Sequence, residues 1–287
     1  ILILSLTMIF FGSELFAGGH SSTLQDVKAR GKLRCVVTTG LPGFAAPDAN
    51  GVWRGFDWDF CRATAAAVLG DANAVDPITS TGKTRFTKLN AGEGDVLWRN
   101  TTITFSRDVS VKLRFLGVNY YDGQGFMVNK SLGVSSAKEL DGASVCIQTG
   151  TTTELNLADY FSSNNMSYEA VTIETNDEAR QNYEAGRCDI YTTDASGLAS
   201  TRSSLPNPND HMVLPEIISK EPLGPAVRQG DDAWADIITW VLAATITAEE
   251  LGVNSSNVDQ MKNSNNPEIR RMLGTDGSQG AELGLSN

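Results

Sequence analysis

Apolar residues along this chain follow two rhythms. Short apolar or alternating runs at about 33–37, 111–118, 126–129, 144–148, 169–173, 188–192 and 212–219 predict strands. Helix-like stretches lie at about 24–30, 60–69, 84–91, 152–162, 177–185 and 195–202. The Ala-rich stretch ends at Leu69 before Gly70, with Asp57 or Asp59 as its expected cap. The most regular helix follows Asp231-Asp232. There Trp234, Ile237, Ile238, Val241, Leu242, Thr245 and Ile246 share one stripe, which reads as core packing. Strands alternating with helices predict an α/β fold.

One pattern occurs twice. Ala91-Gly92-Glu93-Gly94-Asp95-Val96 runs into Leu97-Trp98-Arg99-Asn100-Thr101-Thr102, and Ala185-Gly186-Arg187-Cys188-Asp189-Ile190 runs into Tyr191-Thr192-Thr193-Asp194. Each copy stops a helix at a Gly, starts a short strand and ends in a polar cluster. Asp95 and Asp189 read as strand-entry structure and Trp98 as buried core. Ligands in parallel α/β sheets sit beyond the carboxyl ends of strands. The first cluster leads to Arg107 and the second to Asp194, so the two ends offer opposite charges. Gly-rich 120–125 and the segment 220–224 are candidate crossovers between the two halves.

Composition narrows the function. The 287 residues suffice for two domains, and the formal net charge of -11 argues against nucleic acid as a partner. Two His residues and the lack of any CxxC spacing leave little for a metal or redox centre. Residues 1–11 are apolar apart from Ser5 and Thr7, and Ala17-Gly18-Gly19 follows, so 1–17 reads as the remnant of a secretion signal. With no initiator Met and no basic segment ahead of it, the sequence reads as lacking its start. Four cysteines allow three pairings. Sequence proximity and a two-lobe organisation favour Cys35 with Cys61 and Cys146 with Cys188; four buried thiols are the alternative.

Five segments together carry a family resemblance: Gly55-Phe56-Asp57-Trp58-Asp59, Thr101-Thr102-Ile103-Thr104-Phe105-Ser106-Arg107, Tyr120-Tyr121-Asp122-Gly123-Gln124-Gly125, Gln148-Thr149-Gly150-Thr151-Thr152 and Cys188-Asp189-Ile190-Tyr191-Thr192-Thr193-Asp194. In this order and at these separations they resemble the polar and general L-amino-acid-binding proteins of bacterial ABC importers. These are solute-binding proteins of family 3 with the type II periplasmic binding fold. The resemblance runs from about 24 to 273. It implies two lobes, each a mixed sheet flanked by helices, joined by two crossover strands. Lobe 1 would hold 24–119 and 223–287, lobe 2 would hold 125–217, and the hinges would lie at about 120–124 and 218–222. It also implies a monomeric periplasmic protein that is not an enzyme and needs no cofactor. Such a protein closes around a free L-amino acid and delivers it to an inner-membrane permease. Residues 274–287 are Gly/Ser-rich where relatives continue, which suggests a fragment whose lobe 1 is incompletely buried.

The same resemblance assigns roles. Arg107 would take the α-carboxylate on its donor fork, with Asn100 and Thr102 completing the cradle and Thr152 adding a helix start. Asp194 would receive the α-ammonium, or else only cap the next helix. Phe44 would line the side-chain pocket, while Gly82 stands where relatives often carry an aromatic. Lys83 and Arg85 read as solvated helix residues, with a role toward acidic ligands as the alternative. With no second fixed charge in view, specificity is expected to be broad. Two other classes remain open. A prephenate or arogenate dehydratase would need a general acid, for which only Asp194 and Glu154 offer themselves. A sensor domain would be followed by a membrane segment.

Overall fold

The computed structural model describes residues 21–286. The expected signal remnant, 1–17, lies outside them. In chain order the strands are β1 (Leu33–Thr38), a hairpin of β2 (Ala46–Pro47) and β3 (Trp53–Arg54), then β4 (Val75–Ser80), β5 (Val96–Leu97) and β6 (Leu113–Phe115). Strand β7 (Tyr120–Asp122) leads to β8 (Gln124–Asn129), β9 (Ala143–Gln148), β10 (Tyr168–Ile173), β11 (Ile190–Asp194) and β12 (His211–Val213). The chain then returns through β13 (Glu221–Leu223) to β14 (Ala226–Arg228).

These strands build two five-stranded sheets with the same plan. The first has the order β4-β1-β5-β14-β6 and the second β10-β9-β11-β8-β12. In each, three parallel strands are followed by one antiparallel strand, β14 or β8, and the edge strand beyond it, β6 or β12, pairs antiparallel with that one and so runs with the first three. Helices flank both sheets, so each sheet with its helices is a lobe. Strands β7 and β13 pair antiparallel between the lobes, with Glu221 opposite Asp122.

The repeated pattern serves as scaffold. Helices Arg85–Asn90 and Asn176–Glu184 end just before Gly92 and Gly186, whose φ values of 75° and 68° favour a residue without a Cβ. Asp95 accepts the Arg34 N–H at 2.7 Å, and Asp189 accepts the Ser144 N–H at 2.9 Å. The same carboxylate clamp thus fixes β5 beside β1 and β11 beside β9.

Each lobe has its own core. In the first, Trp98 stacks on Phe60 at 4.4 Å and packs with Val37, Trp58 and Trp234. Helix Asp232–Glu250 is capped by Asp231, which accepts the Trp234 N–H, and it buries Trp234, Ile237, Ile238, Val241 and Leu242. The stripe ends sooner than expected, because Ile246 is 51% exposed. The second lobe is built around Phe126, Ile147, Phe161 and Ile190. The cysteines pair as favoured, Cys35 with Cys61 and Cys146 with Cys188, one bridge in each lobe.

Some expectations need correction. The run 212–219 is strand only to Val213: Pro215 lacks an N–H for a ladder, and Glu216 turns to accept from Ser136 and Ala137. Asp57 does not cap helix Phe56–Leu69; Gly55 occupies that position, and Asp57 is buried, accepting the Asn100 N–H at 2.8 Å. Edge strand β4, with its Pro77, and the short β14 gave no pattern of their own. The Gly/Ser-rich tail is packed: Leu283 and Leu285 lie against the first core, and Gly284 O accepts from Lys28 at 2.7 Å.

The bridges span 26 and 42 residues. Loop-closure entropy gives each a stabilisation of about 3–4 kcal/mol. Replacing both cysteines of one pair by Ser should lower unfolding free energy in urea by that amount while leaving the circular dichroism spectrum unchanged.

Candidate functional site

Charged side chains gather where the strands end between the lobes. Downstream of β5, the chain carries Arg99, Asn100, Thr101 and Thr102, then Arg107 on the short helical turn Ser106–Ser110. Strand β11 ends on Asp194, and β9 leads through 149–151 to helix Thr152–Ser163. The crossover strands β7 and β13 add Asp122 and Glu221.

Three of these groups are buried arginines: Arg85, Arg99 and Arg107 are 3%, 5% and 6% exposed. None forms a salt bridge with a described carboxylate. Arg107 Nη1 donates to Thr102 O at 2.7 Å, and Arg85 Nη1 donates to Thr101 Oγ1 at 3.2 Å. Arg85 Nε is buried with no partner among the described residues. Both guanidinium carbons lie over the Phe86 ring, Arg85 at 4.7 Å and Arg107 at 5.2 Å, a placement that favours cations. Burial pushes Arg107 and Arg99 down to about 10, with carboxylates at a distance resisting. Burial lowers Arg85 well below its ordinary value, and repulsion from Arg99 and Arg107 adds to this.

Asp194 is the counterpart. It is 7% exposed and accepts no hydrogen bond from a described residue, although it occupies the N-cap position of helix Ala195–Ser203. Burial, with repulsion from Asp122 and Glu221, pushes its carboxyl up to about 7 against the pull of Arg85 and Arg107. A buried charge with no partner is costly. Titratable groups of both signs are therefore held here, desolvated and without an ion-pair partner among the described residues.

The residues named from sequence fare differently. Arg107, Thr102, Thr152 and Asp194 converge. Thr102 Oγ1 lies 3.3 Å from Thr152 Oγ1, and both hydroxyls donate to Glu221 Oε2. The cap of the Thr152 helix is Thr151. Asn100 gives its N–H to Asp57, and its Oδ1 is buried without a described partner. Phe44 is buried in an edge-to-face cluster with Phe56 and Tyr120, at 6.2 and 5.8 Å. It lines a cleft of about 320 Å³ shared with Pro42, Ser196 and Ser200.

Two expectations about charge are overturned. Lys83 is exposed, but Arg85 is among the most buried charges of the lobe, so it is not a solvated helix residue. A second buried cation, where none was expected, therefore lies beside Arg107 over the Phe86 ring. Arg99 and Glu221 had no separate signal: one sits in a strand-end run and the other in a crossover, and only the fold brings them here.

Residues 33–254 match the bacterial extracellular solute-binding proteins, family 3. The chain belongs to this family. It is 61% identical over 284 residues to the glutamate/glutamine/aspartate/asparagine-binding protein BztA of Rhodobacter capsulatus, covering 97% of this chain and 84% of that protein. It is 58% identical over 282 residues to the general L-amino acid-binding periplasmic protein AapJ of Rhizobium johnstonii, covering 96% and 83%. A periplasmic binding protein from Brucella ovis, solved with glutathione bound, superposes with a TM-score of 0.90 at 54% identity over 93% of this chain and 84% of that one. The two-lobed fold is that of type II periplasmic binding proteins.

In this family 3 protein the lobes touch at Gly82. A Cβ there would stand 2.9 Å from Thr151 Cγ2 and 3.0 Å from Thr149 O, so the aromatic often found at this position has no room. Asn176 Nδ2 also reaches Thr38 Oγ1 at 3.2 Å, and Ser200 Oγ reaches Pro42 O at 2.6 Å, both between lobes.

The raised carboxyls make stability depend on pH. The folded chain holds protons on Asp194, up to about 7, and Asp57, up to about 6, that the unfolded chain releases near pH 4. The contribution of these two carboxyls to the stability of the ligand-free protein should therefore fall as pH rises from about 4 to about 7, while His211, lowered by burial, acts in the opposite sense. Asp194→Asn should flatten that slope and raise Tm at pH 8. An unchanged calorimetric profile in the variant would contradict the desolvated setting of Asp194.

Proposed function

We propose that this protein is the substrate-binding component of an amino-acid ABC importer. It works as a monomer in the periplasm, closes around an L-amino acid and hands it to an inner-membrane permease. One observation carries the reading: Arg107 and Asp194 are buried, opposite in charge, unpaired among the described residues, and supplied by different lobes. An α-amino acid has one carboxylate and one ammonium. Arg107 still has Nε and Nη2 to offer a carboxylate, and Asp194 has both oxygens for an ammonium. The backbone at the start of helix Thr152–Ser163 adds unpaired N–H groups on the carboxylate side.

Arg85 narrows the ligand. Its unpartnered Nε and its place beside Arg107 over Phe86 support a side chain ending in a carboxylate or amide. The Rhodobacter relative, a glutamate/glutamine/aspartate/asparagine-binding protein, agrees. A second reading has its own support. The cleft at Phe44, Tyr120 and Ser196 lies next to Asp194 in sequence, and the Brucella neighbour holds glutathione. The γ-glutamyl end of such a peptide also presents a free α-amino acid, and the cleft would take its extension.

The reading is of binding without turnover. Glu154, one of the two candidate acids, is occupied as the acceptor of the Gly150 N–H. Calorimetric titration against the twenty amino acids and glutathione should show micromolar or tighter binding of glutamate, aspartate or their amides. Arg107→Ala and Asp194→Ala should each weaken it by about 100-fold or more with the ligand-free circular dichroism intact, since each leaves a ligand charge unpaired. Arg85→Ala should weaken glutamate more than glutamine. Conversion of prephenate or arogenate, or normal binding by both alanine variants, would overturn the reading.

A further inference from the structure

Glu221 lies in β13, the returning hinge strand, and is 2% exposed. Its carboxylate accepts four side-chain hydrogen bonds. Thr102 Oγ1 and Thr152 Oγ1 donate to Oε2 at 2.5 and 2.9 Å, and Asn156 Nδ2 and Ser219 Oγ donate to Oε1 at 2.7 and 2.6 Å. The donors come from three bodies. Thr102 belongs to the first lobe, where it pairs with Leu223 and its carbonyl holds Arg107. Thr152 and Asn156 lie one turn apart on the first helix after β9 in the second lobe, and Ser219 is in the hinge. No other described carboxylate accepts side-chain hydrogen bonds from both lobes and a hinge.

We propose that Glu221 is a positioning residue that locks the closed lobes together through the hinge and sets the polarity of the two threonine hydroxyls facing the ligand. A hydroxyl has one proton to donate and lone pairs to accept with. In donating to the Glu221 carboxylate, each threonine hydroxyl commits its one proton to that hydrogen bond. What Thr102 and Thr152 then present to the cleft is acceptor only, which suits an ammonium and repels a carboxylate. The ligand's carboxylate is left to Arg107 and backbone N–H groups. Because Glu221 is bonded at once to Thr102 of the first lobe and to Thr152 and Asn156 of the second, parting the lobes would break bonds on one side or the other, so the same set holds the closed form. Glu221 stands opposite Asp122, and like charges across a strand pair repel. The donors on Glu221, with Ser196 and the Gly123 N–H on Asp122, offset that repulsion.

The closure role needs no ligand to be tested; only the hydroxyl role rests on the amino-acid reading. In Glu221→Gln the side chain keeps its size, but whichever way the amide turns, its NH2 faces two donors. Hydrogen exchange by mass spectrometry on the ligand-free full chain should show amides in 100–104 and 152–156 exchanging about tenfold faster, with the core strands 33–38 and 143–148 unchanged. Unchanged exchange in 152–156, or acceleration spread evenly over both cores, would overturn the closure role. If Glu221→Gln does not fold, Asn156→Ala serves instead. Alanine favours helix, so faster exchange in 152–156 there reports the lost bond to Glu221, and unaltered exchange overturns the proposal. For the hydroxyl role the probes are L-glutamate and 2-oxoglutarate, the same skeleton with a keto group in place of the ammonium. The preference of the wild type for glutamate should shrink about tenfold in Glu221→Gln, and a preserved ratio would sink that role. Failure of the wild type to bind glutamate would count against the amino-acid reading and leave the exchange result to decide on Glu221.

Discussion

Charge taken out of water without a partner is the constraint on which this molecule turns. Arg85, Arg107 and Asp194 are each buried, and none is paired with an opposite charge among the described residues. Such groups cost several kcal/mol apiece unless something supplies the missing interactions. Stability for this comes from elsewhere: two apolar cores, a disulfide in each, and carboxylate clamps that fix the central strands. The scaffold therefore spends rigidity to keep a few side chains unsatisfied. On the proposed reading, an amino acid whose side chain reaches Arg85 would supply the missing partners in one step, which would couple recognition to closure without a separate switch.

Much of this was legible in the sequence, for physical reasons. Apolar periodicity reported the helices because each buries one face, and the 19-residue helix from Asp232 was the plainest case. The doubled Ala-Gly-x-x-Asp pattern was readable because a left-handed Gly and a strand-clamping Asp are both sequence-local requirements. Arg107 and Asp194 were singled out because each follows such a pattern at a strand end, and both prove to be buried. The cysteine pairs followed from proximity within a lobe.

What was missed depended on long-range assembly. Strand β4 is an edge with Pro77 and polar neighbours, and β14 is three residues long, so neither has a period to read. Arg85 opens a six-residue helix and looks like any solvated arginine; its burial arises only from packing over Phe86 and under Thr101. Glu221 was passed over as part of a crossover, because its donors lie 2, 65, 69 and 119 residues away. No local pattern records a group whose partners come from three separate parts of the chain.

The two disulfides lie one in each lobe, and neither crosses the hinge. Covalent stiffening is thus applied inside the moving bodies and withheld from the joint between them. On the proposed closure, stiff bodies would have little internal freedom left to lose as they come together, so the entropic toll of capture would fall mainly on the few rotations of β7 and β13. Seen this way, the bridges act on the sharpness of the response: a chain with softened lobes would still hold its ligand, but part of each binding event would be spent on firming up the walls.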